Sequence, residues 1–487
     1  MLCINRVKYF NNIRFFGNSS LTRMIKEDFK DKKILDFQHI PKAKGLPLLG
    51  TTLDIMKAGS APKFHEYIHK RHEELGSIFR ENIGPLECLF VSDPDAIREV
   101  FLNEGKYPRH PLPDAWKLYE RKHRNKRGLL FMDGEEWLYH RKQMNKLLLN
   151  RDFTPFHAPI KNSVQRLMDK WATNEASKPI ENLENDLYRW SLETIINLMV
   201  GSSYNEISVQ IDKSLERLSK VLHRVFESSS KLFLVPPQLC EFFGTSTWRD
   251  FEESVTETLS ISGEIITKCL NEKSRQDGIL REMENLEIPR EYIERILVDL
   301  IIAAGDTTSF STLWCLHILS GDTNVQENLR EEIRGNDTVE ADLIPPLRAF
   351  IRETLRLYPV APFVGRIIGG DKTILGNYHI SQEVMAIISL FTSGRDPKNF
   401  HDPEKFNLHR WCRSEESPVH RPQASLPFAL GSRSCIGQKI AVKQMCELLR
   451  QVLQRYQLQD LSGPAKPILH MITVPDRKIQ VALKKLQ

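Results

Sequence analysis

Residues 428–437 read FALGSRSCIG, and Cys435 is the one residue among them able to act as a strong nucleophile or metal ligand. Gly431 and Gly437 frame it, Arg433 stands two residues before it and Phe428 seven before it. The segment that follows, QKIAVKQMCELLRQVLQRY, repeats apolar residues at helical spacing, which puts Cys435 at a helix N-terminus. A buried free cysteine is usually a small hydrophobe. Here the helix dipole, the tight loop and the nearby arginine favour the thiolate.

A second candidate lies in ILVDLIIAAGDTTSFSTLWCLHIL, part of one long helix expected over 289–320. It is apolar on nearly all faces and therefore buried, yet its centre holds Gly305, Asp306, Thr307 and Thr308. Mid-helix glycine costs about 1 kcal/mol against alanine, and a buried acid costs more. The threonines could bond back to preceding carbonyls while Asp306 meets a remote cation. The favoured reading is a local opening of the helix beside an acid–alcohol pair suited to delivering protons. Elsewhere, IRETLRLYP places Glu353 and Arg356 one turn apart, and Arg410 in DPEKFNLHRW would complete a buried three-member network. Trp137 and Arg141 stand at i and i+4, either as an exposed cation–π pair or as a clamp on one anionic group.

These residues must be positioned by helices. A helix is expected over 62–75, short strands at SIFRENI and CLFVS, and helical periodicity from Trp137 to Leu270, broken by LVPP at 234–237. A further helix spans 343–357 and ends before Pro359, 364–391 alternates as strands do, and so does RKIQVAL near the end. This is a mainly α chain with small β-sheets and a single large catalytic domain, without a dinucleotide-binding βαβ unit. Net charge is only +5 over 487 residues, so bulk electrostatics give no argument for nucleic acid. The run RKHRNKR at 121–127 is expected to be a solvated loop. Eight scattered cysteines without Cys-x-x-Cys indicate a reducing compartment. No window approaches the roughly 20 apolar residues of a membrane span. The start, MLCINRVKYFNNIRFFGNSSLTRMIK, is basic with no acid before Glu27 and reads as a mitochondrial transit peptide. The expected division is a leader over 1–36 and a catalytic domain over 37–487.

A thiolate held as Cys435 is expected to be is the axial haem ligand that favours O–O cleavage. Phe428-x-x-Gly431-x-Arg433-x-Cys435-x-Gly437, Glu353-x-x-Arg356 and the AAGDTT helix together resemble the cytochrome P-450 family of haem-thiolate monooxygenases, from about residue 40 to 487. The resemblance implies haem b, with Cys435 as proximal iron ligand, and O2 as cosubstrate. It implies that Phe428 tunes the sulfur, that Gly437 belongs to the same loop, and that Trp137, Arg141, Arg366 and Arg433 bind the haem propionates. Glu353, Arg356 and Arg410 would form the structural triad, while Asp306 and Thr307 would relay protons. Ala304 departs from a common glycine, and Gly305 is expected to supply the same slack.

Mitochondrial members take electrons from an adrenodoxin-like ferredoxin served by an NADPH-dependent reductase. Arg348 and Arg352, one turn apart, are the expected docking pair. GLPLLGT, YPRHPLPDAW, AAGDTTSFS, RLYPVAPFVGR and MITVPDR resemble the arthropod ecdysteroid 2-hydroxylases. That implies conversion of 2-deoxyecdysone to ecdysone on the matrix side of the inner mitochondrial membrane, with peripheral membrane association. The sterol would be lined by the 107–119 loop with Trp116, by Ala303 and Ala304, by Val360, Phe363 and Val364, and by Met471 and Ile472. The rival readings are an ecdysteroid 20- or 22-hydroxylase, a non-catalytic haem-thiolate sensor, and an isomerase that rearranges a peroxide without external electrons.

Overall fold

The computed structural model describes residues 34–149, 152–175, 178–336, 338–370, 373–411 and 420–486. The expected transit peptide lies outside the described residues except for its last three positions, and Leu35–Asp36 pairs in parallel with Tyr378–His379.

The elements that build the site are α1 (Phe64–Leu75), β1 (Ile78–Ile83), β2 (Leu86–Val91), α2 (Asp114–His123), α3 (Gly134–Leu148), α4 (Thr154–Trp171), α5 (Leu183–Val200) and α6 (Tyr204–Lys231). They continue as α7 (Ser246–Asn271), α8 (Arg290–Gly321), α9 (Pro345–Leu357), β3 (Phe363–Ile368), β4 (Val384–Ser389), α10 (Gln438–Arg455), β5 (Pro467–His470) and β6 (Ile472–Pro475). The expected helix over 62–75 begins two residues later. α6 ends at Lys231, and LVPP leads into the short helix Pro237–Phe242, where Pro237 takes the first position because a proline there sacrifices no intrahelical hydrogen bond.

A four-stranded sheet runs in the order β1-β2-β4-β3. β1 and β2 form an antiparallel hairpin turning at Gly84, whose φ is +57°, and Phe79 stacks on Phe90 across it. β2 is parallel to β4, and β3 is antiparallel to it. The hairpin β5–β6 turns sharply at Met471, with φ +61°.

The core gathers around α8, which packs against α5, α7, α9 and β6. By length and composition α8 is apolar enough to cross a membrane, contrary to the expectation that no segment would qualify. Most of its apolar stretch is enclosed by the other helices, which makes it the core helix of this fold. One expected solvated charge is buried as well. The basic run is exposed up to Lys126, apart from half-buried Asn125, but Arg127 turns inward to ion-pair with Asp299 of α8 at 2.7 Å. The rings of Trp116 and Phe131 stack on its guanidinium.

Candidate active site

The Cys435 loop is closed by its own backbone. The Cys435 amide donates to the Phe428 carbonyl at 2.9 Å, and Ala429 and Gly431 take positive φ between them. Gly431 is required there: a Cβ would lie 2.2 Å from Glu104 Oε1. Glu104 in turn accepts from the Ser432 amide at 2.7 Å and from Arg366 Nε at 2.8 Å. Nothing in the sequence pattern marked Glu104, because its partners lie on distant segments.

Cys435 alone among the described cysteines is not buried. Protein nevertheless surrounds the sulfur closely enough that burial raises the thiol's pKa. The sulfur therefore faces a space inside the molecule. Three influences oppose that rise, in decreasing order: the Gly437 amide, the Arg141 charge and the Gln438 amide. Gly437 is the N-cap of α10, so the two amides are unpaired donors of a helix N-terminus aimed at the sulfur. The expected loop cation thus acts from a different residue: Arg141 of α3, not Arg433, lies beside the thiol.

Arg433 is used elsewhere. It donates to the carbonyls of Pro108, Leu129 and Met132 and to Asp133. Its guanidinium also lies over the Trp137 ring at 4.3 Å. Trp137 is buried under Arg433, not paired with Arg141 at the surface. Burial lowers Arg433 and Arg141 to about 10.

The unpartnered donors lie beside them. Arg141 Nε, Arg366 Nη2 and the ring nitrogens of His110, one of them a donor in the neutral ring, are buried without a hydrogen-bond partner of ordinary geometry. His110 is held at about 4 by burial and by the charges of Arg433 and Arg366. Three arginines against Glu104 and Asp133 leave an excess of buried positive charge, which is the electrostatic fit for a dianionic group with two carboxylates. His110 had been expected only as part of a substrate-lining loop.

Beneath this cluster the expected triad is present in full. Glu353, Arg356 and Arg410 are all buried. Arg356 donates to both Glu353 oxygens at 2.8 and 2.9 Å, and Arg410 Nε donates at 3.1 Å. Two further donors, the Trp411 indole at 2.8 Å and the Asn407 amide at 2.9 Å, complete it.

α8 is continuous α-helix through its centre, so the expected opening is absent; instead the Ala304 carbonyl accepts an additional bond from Ser191 of α5 at 2.8 Å. Ala303 and Thr307 are exposed and Ala304 half-buried, a face one turn long that opens inward from an otherwise enclosed helix. The Thr307 hydroxyl bonds back to the Ala303 carbonyl at 2.7 Å. Gly305 gives no slack to that face. It lies on another side, where an added Cβ would meet Leu222 at 2.4 Å and Leu192 at 3.3 Å, so it is there for close helix packing. Asp306 is also turned away from Thr307. Among the described residues no cation meets it, and burial raises its carboxyl to about 8.

Of the expected sterol contacts, Phe363, Val364 and Met471 are half-buried and Val360 and Ile472 buried. Val360 is tied to the β5–β6 hairpin by the Thr473 amide at 2.8 Å. Trp116 is committed to packing: its indole donates to Ser229 at 3.1 Å, and Phe131, Phe251 and Arg127 cover its ring. The expected docking arginines are half-buried, not free. Arg352 lies over the Trp411 ring at 3.9 Å and donates to Pro422, and burial lowers both Arg348 and Arg352. A separate surface groove of about 1030 Å³ between α4, α5, α6 and α7 is lined by charges that pair among themselves, such as Arg166 with Glu193.

An accessible cysteine at a helix N-terminus inside a helical fold, backed by a buried Glu–Arg–Arg network, defines a haem-thiolate protein. The Cytochrome P450 family model matches residues 40–483, and the chain belongs to that family. It is accordingly a monooxygenase that uses haem b and O2. It is 40% identical over 466 residues to Cytochrome P450 315a1, mitochondrial, of Drosophila melanogaster, covering 91% of this chain and 88% of that one. It is 28% identical over 445 residues to the mitochondrial cholesterol side-chain cleavage enzyme of Ovis aries, covering 87% and 84%. Cytochrome P450 10 of Lymnaea stagnalis matches at 28% over 481 residues, covering 93% and 87%.

Proposed function

We propose that the protein is a mitochondrial ecdysteroid hydroxylase that converts 2-deoxyecdysone to ecdysone at carbon 2. The resemblance to the arthropod 2-hydroxylase Shadow supports this, as does the 40% identity to a mitochondrial relative over nearly the whole chain. The observation that carries the chemistry is the accessible Cys435 sulfur with two helix N-terminal amides directed at it. When bound, haem supplies the one-electron and O2 chemistry of the reaction. Cys435 would ligate its iron, and the amides of Gly437 and Gln438 would support the thiolate charge. A bound metal deprotonates the thiol despite the burial that raises it. Arg141, Arg366 and His110 would take the propionates with their unpartnered donors, while Arg433 and Trp137 brace the loop behind them. Thr307 presents its hydroxyl on the inward-facing turn and would orient protons there, with Asp306 as their source. Ala303, Val364 and Met471 offer an apolar lining suited to a sterol.

Electrons would arrive from an adrenodoxin-like ferredoxin and its reductase, on the matrix side of the inner membrane, near Arg348 and Arg352. Because Arg352 stacks on Trp411, which bonds Glu353, reversing its charge would disturb the triad as well as docking. Exposed Leu48, Leu49 and Met56, with Leu239, Phe242 and Phe243 on the 237–243 segment, would support peripheral membrane association. The test is turnover with a mitochondrial-type ferredoxin, its reductase and a panel of 2-deoxyecdysteroids, products being identified by mass and retention. Hydroxylation at carbon 2 is expected. Oxidation only on the side chain would move the assignment to a 20- or 22-hydroxylase.

A further inference from the structure

Asp306 must acquire the protons it passes on, and its surroundings restrict where they come from. It is fully buried, and among the described residues neither carboxyl oxygen has a hydrogen-bond partner of ordinary geometry. The hydroxyl that faces it belongs to Tyr188 of α5, itself 2% exposed and also without a partner of ordinary geometry. Ser191, three residues further along α5, donates to the Ala304 carbonyl and locks the two helices in this register. Phe310 meets the Tyr188 ring edge-on at 5.6 Å and holds it in place.

Tyr188 leads outward. Glu184 precedes it by one turn on the same face of α5. Glu184 senses the charges of His223 and Lys478. The His223 ring on α6 lies 6.4 Å from the Tyr188 ring and 6.4 Å from that of His470. Glu184, His223 and His470 are half-buried, and Lys478 is exposed, donating to the Glu181 carbonyl at 3.0 Å. Glu227 and Lys231 of α6 face the His470 end of this row. A line of titratable groups thus runs from solvent to Asp306 along the side of α8 turned away from the Ala303–Thr307 face.

We propose that Tyr188 and Glu184 form the route by which solvent protons reach Asp306. This rests on the reading of Asp306 and Thr307 as the proton-delivering pair. In each transfer the Asp306 side chain rotates toward the Thr307 side to release its carboxyl proton, then turns back and takes the Tyr188 hydroxyl proton. Tyr188 takes the Glu184 proton in the same step, and Glu184 regains one from solvent past His223. Only O–H bonds break and form, one proton moves inward, and no electrons are exchanged. Burial raises the pKa of all three groups, Tyr188 well above its usual value, so a free phenolate is avoided by moving the protons together.

The experiment uses haem-loaded full-length protein and the variants Tyr188→Phe, Glu184→Gln, Glu184→Asp and Asp306→Asn. The infrared band of the protonated Asp306 carboxyl, assigned by its loss in Asp306→Asn, needs no substrate. It should shift in Tyr188→Phe, and an unshifted band overturns the proposal. With the ecdysteroid turned over best, Tyr188→Phe and Glu184→Gln should keep haem content and substrate binding. They should lower product formed per electron at least about tenfold and raise the solvent deuterium isotope effect, and Glu184→Asp should retain part of the coupling that Glu184→Gln loses. Coupling at the level of the unmodified protein in Tyr188→Phe, with Asp306→Asn impaired, overturns the route alone. Unimpaired Asp306→Asn instead removes the acid–alcohol reading on which it rests.

Discussion

Glu353 and Asp306 are both carboxylates with no exposure to solvent, and the protein treats them in opposite ways. Glu353 receives hydrogen bonds from two arginines, an indole and a backbone amide. Asp306 receives none of ordinary geometry and faces one tyrosine hydroxyl. A fully bonded buried charge holds segments together, since its donors come from its own helix through Arg356 and from the 407–411 segment through Asn407, Arg410 and Trp411. An unsatisfied buried acid stays protonated and stores a proton that can leave. The first arrangement anchors α9 to the 399–411 segment. The second is poorly explained as scaffolding.

The largest effect should come from breaking the satisfied acid. Glu353→Gln leaves Arg356 and Arg410 with reduced compensation and should destabilise the fold by about 3–5 kcal/mol, read as a drop in denaturation midpoint with loss of haem uptake. Asp306→Asn should instead change the pH dependence of stability. The carboxyl pKa is raised from 3.8 to about 8, so its contribution is complete at low pH and lost as pH rises through about 8. The unmodified protein should therefore lose about 1.4 kcal/mol per pH unit across that window relative to Asp306→Asn. Buried His65 and His72, both held at about 4, act with the opposite sign: stability is lost as pH falls from 6.5 toward 4. They cancel when the two proteins are compared at each pH. Gly305→Ala presses on Leu222 and should cost about 1–3 kcal/mol by overpacking, measured by chemical denaturation. The smallest expected change is Trp411→Phe. Removing one of several donors to Glu353 should cost about 1 kcal/mol, with the triad's other bonds retained in a structure of the variant.

Much of the site was legible in the residues. The Cys435 loop, the Glu353–Arg356 pair with Arg410, and the boundaries of α1, α8 and α9 follow from spacing, because helical period and turn chemistry are local properties of the chain. Locality left two readings of the i, i+4 pair Trp137 and Arg141, and of these the exposed cation–π pair is not formed: a guanidinium 296 positions after Trp137, that of Arg433, covers the ring instead.

By itself the sequence determined which groups would be available and in what order: one framed cysteine, an acid–alcohol pair in an apolar helix, and a glutamate one turn from an arginine. Only the tertiary structure decided which of them face each other. It set Arg141 beside the sulfur, brought Glu104 to a backbone amide 328 residues away, buried the His110 ring among arginines, and turned Asp306 to Tyr188 instead of to Thr307. The reason is physical. A residue's type and helical phase are properties of nearby chain, whereas the partner of a buried charge is chosen by which distant segments pack against it and which polar groups they must satisfy.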